Sequence, residues 1–309
     1  MQAPAICVIL NVGSGKPDAK SQPENIRAAF AANGAEITLK VINDGSRLVS
    51  ETQKSLVEGY RTIVAGGGDG TICAVAQSLS DSKATMGILP LGTFNYFARS
   101  LYLPMEIDAA AKVIVDGHTM PLRVATVNNR MFLNNASLGV YPAILAKRED
   151  IYRRWGRSQI AAYWAVIATL LTLRRPLHLK LTIDGKSQNI RTPLVFIVNN
   201  AYQLQQMSLQ GTDKIEAGEL VVFVAPDTNR IGMLRLAVAV AIGRAASTQN
   251  FELLSGKDIL IESSRRSARR ERTIAKDGER ERMRGPFHFC VVQNALSVLV
   301  PPQNETKVR

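Results

Sequence analysis

The sequence predicts two domains: an α/β layer over residues 1–122, then a mainly antiparallel β-sandwich over residues 123–294. Three observations predict this. Through the first third, short apolar runs alternate with helical patterns and glycine-rich loops, as in a doubly wound parallel layer. After Leu122 the texture changes to short alternating runs separated by turn signals, as in a sandwich. The 309 residues, 46% apolar and 21% charged, can bury such cores without a disulfide or metal staple.

Ile6–Leu10 reads as a buried parallel strand and is followed by the turn-rich Asn11–Lys16. A helical pattern over Pro23–Asn33 closes at Gly34, because glycine reaches the left-handed C-cap conformation without a Cβ clash. Glu36–Ile42 is a second strand. Ser50–Glu58 is a helix closed by Gly59, and Thr62–Ala65 is a third strand that ends in Gly66–Thr71. Ile72–Ser78 resumes a helical pattern, and Met86–Leu89 is a further strand. Later strands are expected at Arg123–Val127, Arg130–Asn134, Leu177–Ile183, Leu194–Asn199, Leu220–Val224, Asp258–Ser263, His288–Val292 and Ala295–Val300. Asp184-Gly185 marks a turn. Helical insertions are expected near residues 143–174 and 230–246.

Three cysteines in apolar segments argue against a disulfide framework and for a reducing compartment. Three histidines without ligand-like spacing argue against a zinc site. The net charge is +12, with basic clusters at Lys147–Arg157, Arg174–Arg175 and Arg265–Arg284. That balance suggests anionic partners: nucleotide phosphates or an anionic membrane surface. No nucleic-acid partner is expected, since no aromatic residue interleaves Arg265–Arg284 to stack on bases. Gln159–Leu173 and Ile231–Ile242 are apolar but shorter than the ~20 residues of a spanning helix. Trp155, Tyr163 and Trp164, flanked by arginines, suit a membrane interface instead.

The loop Gly66–Thr71 (GGGDGT) is the most informative segment. It follows a strand and opens a helix, so backbone N–H groups and the helix dipole favour an anion there. Gly66, Gly67, Gly68 and Gly70 let backbone approach a phosphate closely. Thr71 can cap the helix or bond a phosphate oxygen, and Asp69 places a carboxylate inside the loop. Asn11, Ser14, Gly15 and Lys16 follow the first strand, and Gly92, Thr93 and Asn95 follow Met86–Leu89. In an open parallel sheet such strand-end loops converge along one edge. Neither a P-loop nor a dinucleotide fingerprint fits the letters: Pro17 follows Gly15-Lys16, and Thr71 stands where the last fingerprint glycine is required.

Together these loops resemble the diacylglycerol kinase catalytic-domain family, which includes bacterial lipid kinases and sphingosine kinases. The family's N-P-x-S-G-[KR] corresponds to Asn11–Lys16 (NVGSGK), its G-G-D-G-T to Gly67–Thr71, and its P-L-G-T-x-N-D-[FL]-A-R to Pro90–Arg99 (PLGTFNYFAR). A D-G-E motif is present as Asp277-Gly278-Glu279. The resemblance implies a nucleotide domain of the NAD kinase/diacylglycerol kinase type, a lipid-substrate sandwich domain and an active site in the cleft between them. The last strand, Ala295–Val300, is implied to return to the first domain. It further implies ATP and Mg2+ as cofactors and phosphorylation of diacylglycerol or a related lipid, at the cytoplasmic face of a membrane. By the same resemblance Asp277 is the first candidate for the catalytic base. Asp69 is the alternative base, or organises metal and phosphate, and Glu279 is a metal ligand.

Three positions depart from the family pattern. Val12 replaces a proline, and Tyr96 replaces a common Asp. Ala217 stands where many members carry the Asp of a structural metal site, with Asp213 or Glu216 as substitutes. An NAD kinase is the alternative enzyme, and a silent nucleotide- and lipid-binding regulator is the alternative without catalysis. The candidate partners include a second copy of the chain, as a homodimer.

Overall fold

The computed structural model describes residues 6–13, 21–80, 82–140, 142–143, 176–227, 232, 251–263 and 271–302. The expected helical insertions, apart from residues 143 and 232, lie outside the described residues. The chain divides into two compact units, residues 1–124 with 292–309, and residues 125–291.

The first unit is built on a parallel sheet. Its strands β1 (Ile6–Asn11), β2 (Ile37–Ile42), β3 (Thr62–Gly67) and β4 (Thr85–Pro90) lie in the order β2-β1-β3-β4. Val8 sits opposite Leu39 on one side and Val64 on the other. Successive side chains point to opposite faces, so each strand can serve two helix layers. Helices α1 (Gln22–Ala32) and α5 (Ile107–Asp116) cover Val8, Leu10, Val64 and Leu89 with Ile26, Phe30 and Ile114. Helices α2 (Leu48–Val57) and α3 (Asp69–Leu79) pack together, and Cys7 of β1 meets Ser55 of α2 at 3.5 Å. Fully burying a side chain such as Phe30 contributes about 1.5–3 kcal/mol. The final strand, β16 (Phe287–Val300), places Ser297 and Val298 parallel to Thr85 and Met86 of β4.

Two details differ from the expected elements. β3 runs two residues further, with Gly66 and Gly67 paired to Leu89 and Pro90, because ladder bonding needs only backbone. Helix α5 and the short α4 (Tyr96–Ser100) have no counterpart among the expected helices. α5 buries Ala110, Ala111 and Ile114, with Ile107 and Val115 packed on the same core, so its apolar stripe was present in the letters.

The second unit is an antiparallel sandwich. It contains β6 (Arg130–Phe132), β7 (Asn135–Gly139), β8 (Leu177–Ile183), β9 (Lys186–Thr192), β10 (Leu194–Val198), β11 (Leu220–Val224), β12 (Glu252–Gly256), β13 (Asp258–Ser263), β14 (Arg272–Lys276) and β15 (Glu279–Met283). The end of β5 (His118–Val127) and the start of β16 also belong to it. One sheet has the order β12-β11-β10-β7-β14-β15, and the other runs β16-β13-β8-β9. Leu138, Ile197, Val222 and Ile274 of the first meet Leu181, Ile261, Phe287 and Phe289 of the second in one core. Helices α6 (Ala201–Gln206) and α7 (Thr212–Glu216) cover the outer side of β10 and β11 through Leu204 and Ile215. Burial on both faces explains why those two strands read as unbroken apolar runs. Asp184 (φ 45°) and Gly185 (φ 82°) form the two-residue β8–β9 turn. The two strands expected at 288–300 are one, with Asn294 at φ 51° inside it.

Candidate functional site

Because β1 lies between β2 and β3, the chain leaves β1 first to one side and then to the other. In open α/β sheets, ligands bind outside the carboxyl ends of strands at such a switch point. The loops after β1 and β3 start there, and the loop after β4 joins them.

Hydrogen bonds tie the three loops together. Asn11 at the end of β1 donates through Nδ2 to Thr71 Oγ1 at 2.9 Å, and its Oδ1 accepts from Gly13 N at 3.0 Å. Thr71 lies in the first turn of α3, whose first-turn N–H groups have no intrahelical acceptor. Asp69 opens that helix, and its carboxylate accepts from Tyr96 N (3.2 Å) and Phe97 N (3.1 Å), the first two residues of α4. Asn95 precedes α4 in the left-handed conformation, at φ 51°. Its Nδ2 donates to Pro90 O (2.9 Å) and Gly92 O (3.1 Å).

The glycines have mechanical reasons. A Cβ on Gly92 would collide with Gly68 Cα, and one on Gly67 would sit 2.5 Å from Thr71 Oγ1. The two loops therefore touch backbone to backbone, which only glycine permits. Gly66 is a strand residue, Gly70 lies in the first turn of α3, and Thr93 is exposed. Ser14, Gly15 and Lys16 lie outside the described residues.

In the second unit Asp277 (φ 46°) and Gly278 (φ 84°) form the β14–β15 hairpin turn, with Lys276 opposite Glu279. The Asp277 carboxylate accepts from three backbone N–H groups, those of Leu133 (2.7 Å), Asn134 (2.7 Å) and Asn135 (3.1 Å). Its own N–H donates to Asn135 O at 2.9 Å. Glu279, at the start of β15, is exposed by area. Even so, desolvation by the protein around it pushes its carboxyl up. Lys276 pulls it back, and the charges of Asp277 and Glu281 push it up further. Lys276 in turn bonds Met131 O at 3.2 Å and pairs with Glu281 at 3.6 Å.

A polar network that sequence reasoning missed adjoins Asp277. Asn200 donates to Asn134 Oδ1 (2.6 Å), Asn135 to Gln203 Oε1 (3.0 Å), and Asn199 to Leu133 O (3.1 Å). Asn134, Asn135, Asn200 and Gln203 are buried. The available signal was the Asn-Asn pairs 134–135 and 199–200, each following an apolar residue, a pattern that Asn128-Asn129 shares without joining the network. Among the described residues, no group of three or more His, Cys, Asp or Glu is placed to hold a metal ion. Asp213 and Glu216, beside Ala217, are exposed. Among the described residues, no helix is long and apolar enough to cross a membrane.

Comparison with known proteins agrees with this architecture. A stretch of 135 residues is 40% identical to a probable lipid kinase YegS-like protein of Pseudomonas aeruginosa, covering 41% of this chain and 43% of that protein. A diacylglycerol kinase of Staphylococcus aureus is 30% identical over 134 residues, covering 43% of this chain and 42% of its own. The chain thus spans less than half the length of these curated relatives. The crystal structure of a diacylglycerol kinase from Bacillus anthracis str. Sterne superimposes with a TM-score of 0.68 at 20% identity, covering 98% of this chain and 99% of that one. At that identity the likeness speaks for the fold alone. The diacylglycerol kinase catalytic domain matches residues 5–127, and the YegS C-terminal NAD kinase beta sandwich-like domain matches residues 137–300. With both halves matched in order, the chain belongs to the diacylglycerol kinase catalytic-domain family, in the form that carries a YegS-type C-terminal sandwich.

Proposed function

We propose that the chain is an ATP-dependent lipid kinase that phosphorylates the hydroxyl of diacylglycerol or a related lipid at an anionic membrane surface. The observation that carries this reading is the fastening of three strand-end loops into one unit by Asn11–Thr71, Asp69–Tyr96/Phe97 and Gly68–Gly92. Such a unit presents helix N-terminal and loop N–H groups to phosphates, as phosphoryl transfer requires. The relatives named lipid kinase and diacylglycerol kinase support the acceptor class.

Residues 1–122, with the last strand, hold the nucleotide in this reading. Asn11, Ser14, Gly15 and Lys16 form one wall, Gly66–Thr71 the floor, and Gly92, Thr93 and Asn95 the other wall. Residues 123–294 carry the acceptor side. The donor set fits Mg2+, which needs only one or two carboxylates beside substrate phosphates. Asp69, in the first turn of α3 beside the glycine loop, would be the carboxylate that holds it. Bound with the nucleotide, Mg2+ supplies charge neutralisation for the transferring phosphoryl group.

The Asp277 and Asp69 carboxylates both accept backbone N–H groups, and in this reading they hold loops in place. Glu279 is exposed and holds its proton more strongly than an ordinary glutamate, which suits a general base. The acceptor oxygen attacks the γ-phosphorus and its proton passes to Glu279. The β,γ-bridging oxygen then leaves with ADP.

The test is transfer from labelled ATP to diacylglycerol, monoacylglycerol, ceramide, sphingosine, polyprenol and NAD in anionic mixed micelles. A labelled lipid is expected, with Asp69→Ala inactive and Glu279→Gln slower by roughly 10²–10⁴-fold. The raised pKa sets two signs. Activity is lost as pH falls through the Glu279 pKa, above the ordinary glutamate range. The small stability contribution of neutral Glu279 is lost as pH rises through the same value. Labelled NAD would instead identify an NAD kinase, and ATP binding without turnover on any acceptor would identify a regulator.

A further inference from the structure

The loop after β4 departs from the family pattern at Tyr96, and it carries Phe94 at the variable position two residues earlier. In the structure the two residues form one object. Their rings are parallel to within 3°, with centroids 5.5 Å apart, an offset stack. Tyr96 is half-buried, whereas Phe94 is 61% exposed. Tyr96 thus supports one face of the Phe94 ring and leaves the other towards solvent.

An exposed phenylalanine is unfavourable in water unless something covers it. This one is also held in place. Tyr96 N is bonded to Asp69, Arg99 Nε donates to Phe94 O at 3.1 Å, and Asn95 clamps the carbonyls of Pro90 and Gly92. Gly92, two residues before Phe94, touches Gly68. The bonds that build the phosphate loops are therefore the bonds that position this ring. Replacing the family's Asp by Tyr96 also removes a negative charge from beside that loop.

We propose that Phe94, backed by Tyr96, is the stacking platform for the base of the bound nucleotide. This rests on the kinase reading above, which sets the nucleotide phosphates at Gly66–Thr71. A bare ring has a π-face but no hydrogen-bond pattern, so it grips adenine and guanine alike. The platform adds affinity for the base without selecting it.

Calorimetric titration of the full chain with Mg-ATP, Mg-GTP and inorganic tripolyphosphate tests this, using Phe94→Ala and Phe94→Trp. Stacking on an aromatic side chain corresponds to roughly 5- to 100-fold in affinity. Phe94→Ala is expected to weaken ATP and GTP by about tenfold each and to leave tripolyphosphate unchanged, with Phe94→Trp retaining the affinity. Unchanged ATP affinity in Phe94→Ala overturns the platform, as does equal weakening of ATP and tripolyphosphate, which would mean a distorted loop. Loss of binding to phosphatidylglycerol vesicles with ATP affinity intact also overturns it, in favour of a bilayer contact. Wild-type protein that binds neither ATP nor tripolyphosphate overturns the kinase reading and the platform with it.

Discussion

Asp277 has the partners of an anchor. Three amides at 2.7–3.1 Å hold its carboxylate, and its own N–H returns a bond to Asn135. Hydrogen bonds to a charged group are worth about 1.5–3 kcal/mol each, and stranding the donors adds their desolvation cost. Asp277→Ala is therefore expected to lower unfolding stability by about 3–5 kcal/mol in urea denaturation. Asp277→Asn, which keeps one acceptor oxygen, should lose less. Glu279→Gln, at an exposed position, should stay within about 0.5 kcal/mol of wild type while losing activity. An Asp277→Ala midpoint equal to wild type would remove the anchoring role and return this carboxylate to the candidates for the base. The Asp-Gly letters showed a turn and a carboxylate. The amides that carboxylate captures lie more than 140 residues earlier, and no local pattern reports a partner at that separation.

At the level of elements, the contact between the β3–α3 and β4–α4 loops decides the site. Gly92→Ala places a methyl against Gly68 backbone, and backbone cannot rotate away as a side chain can. Its expected effect is a loss of ATP affinity of tenfold or more, with about 1–3 kcal/mol of stability. Gly34→Ala is the control, since φ is +74° but nothing lies within 4 Å of the new methyl. It should cost about 1 kcal/mol and leave ATP affinity alone. Equal ATP affinity in Gly92→Ala and wild type would mean that loop contact does not shape the nucleotide site. The strands and loops around this contact were legible because each has a local signature: an apolar run, then glycines, then a helical pattern. β14 and β15 were not. Their letters, Arg272–Lys276 and Glu279–Met283, read as part of a basic cluster. In the hairpin Ile274 and Met283 turn to the core, while opposed pairs such as Lys276 and Glu279 fill the remaining positions. β9 is similarly polar because most of its residues are exposed. The Asn134–Gln203 network escaped for a different reason. Buried asparagines are satisfied only by partners from other strands, so their value appears after folding.

For the whole molecule the governing quantity is the excess of 38 Lys and Arg over 26 Asp and Glu. Around the β14–β15 hairpin the charges are partly spent on one another, in Arg130–Glu281, Lys276–Glu281 and Arg284–Glu271. The arginines at 153, 154, 157, 174 and 175 have few acidic neighbours in sequence. If these serve an anionic leaflet, each contributes about 1 kcal/mol within a Debye length of the surface. Replacing Arg153, Arg154 and Arg157 by Gln should then weaken binding to vesicles containing phosphatidylglycerol by about 100-fold. Raising salt from 0.15 M to 1 M, which contracts the Debye length from about 8 to 3 Å, should weaken wild type similarly. Sedimentation with vesicles measures both, and equal binding to neutral vesicles would reject the electrostatic account. The kinetic consequence separates surface from site. With long-chain diacylglycerol in anionic vesicles, the triple variant should lose kcat/KM in proportion to its lost binding. With a short-chain diacylglycerol in solution it should match wild type. ATP affinity should not change in either assay, since none of these substitutions falls within Asn11–Lys16, Gly66–Thr71 or Gly92–Asn95. A triple variant slowed equally on the soluble lipid would place those arginines in the chemistry instead of at the membrane.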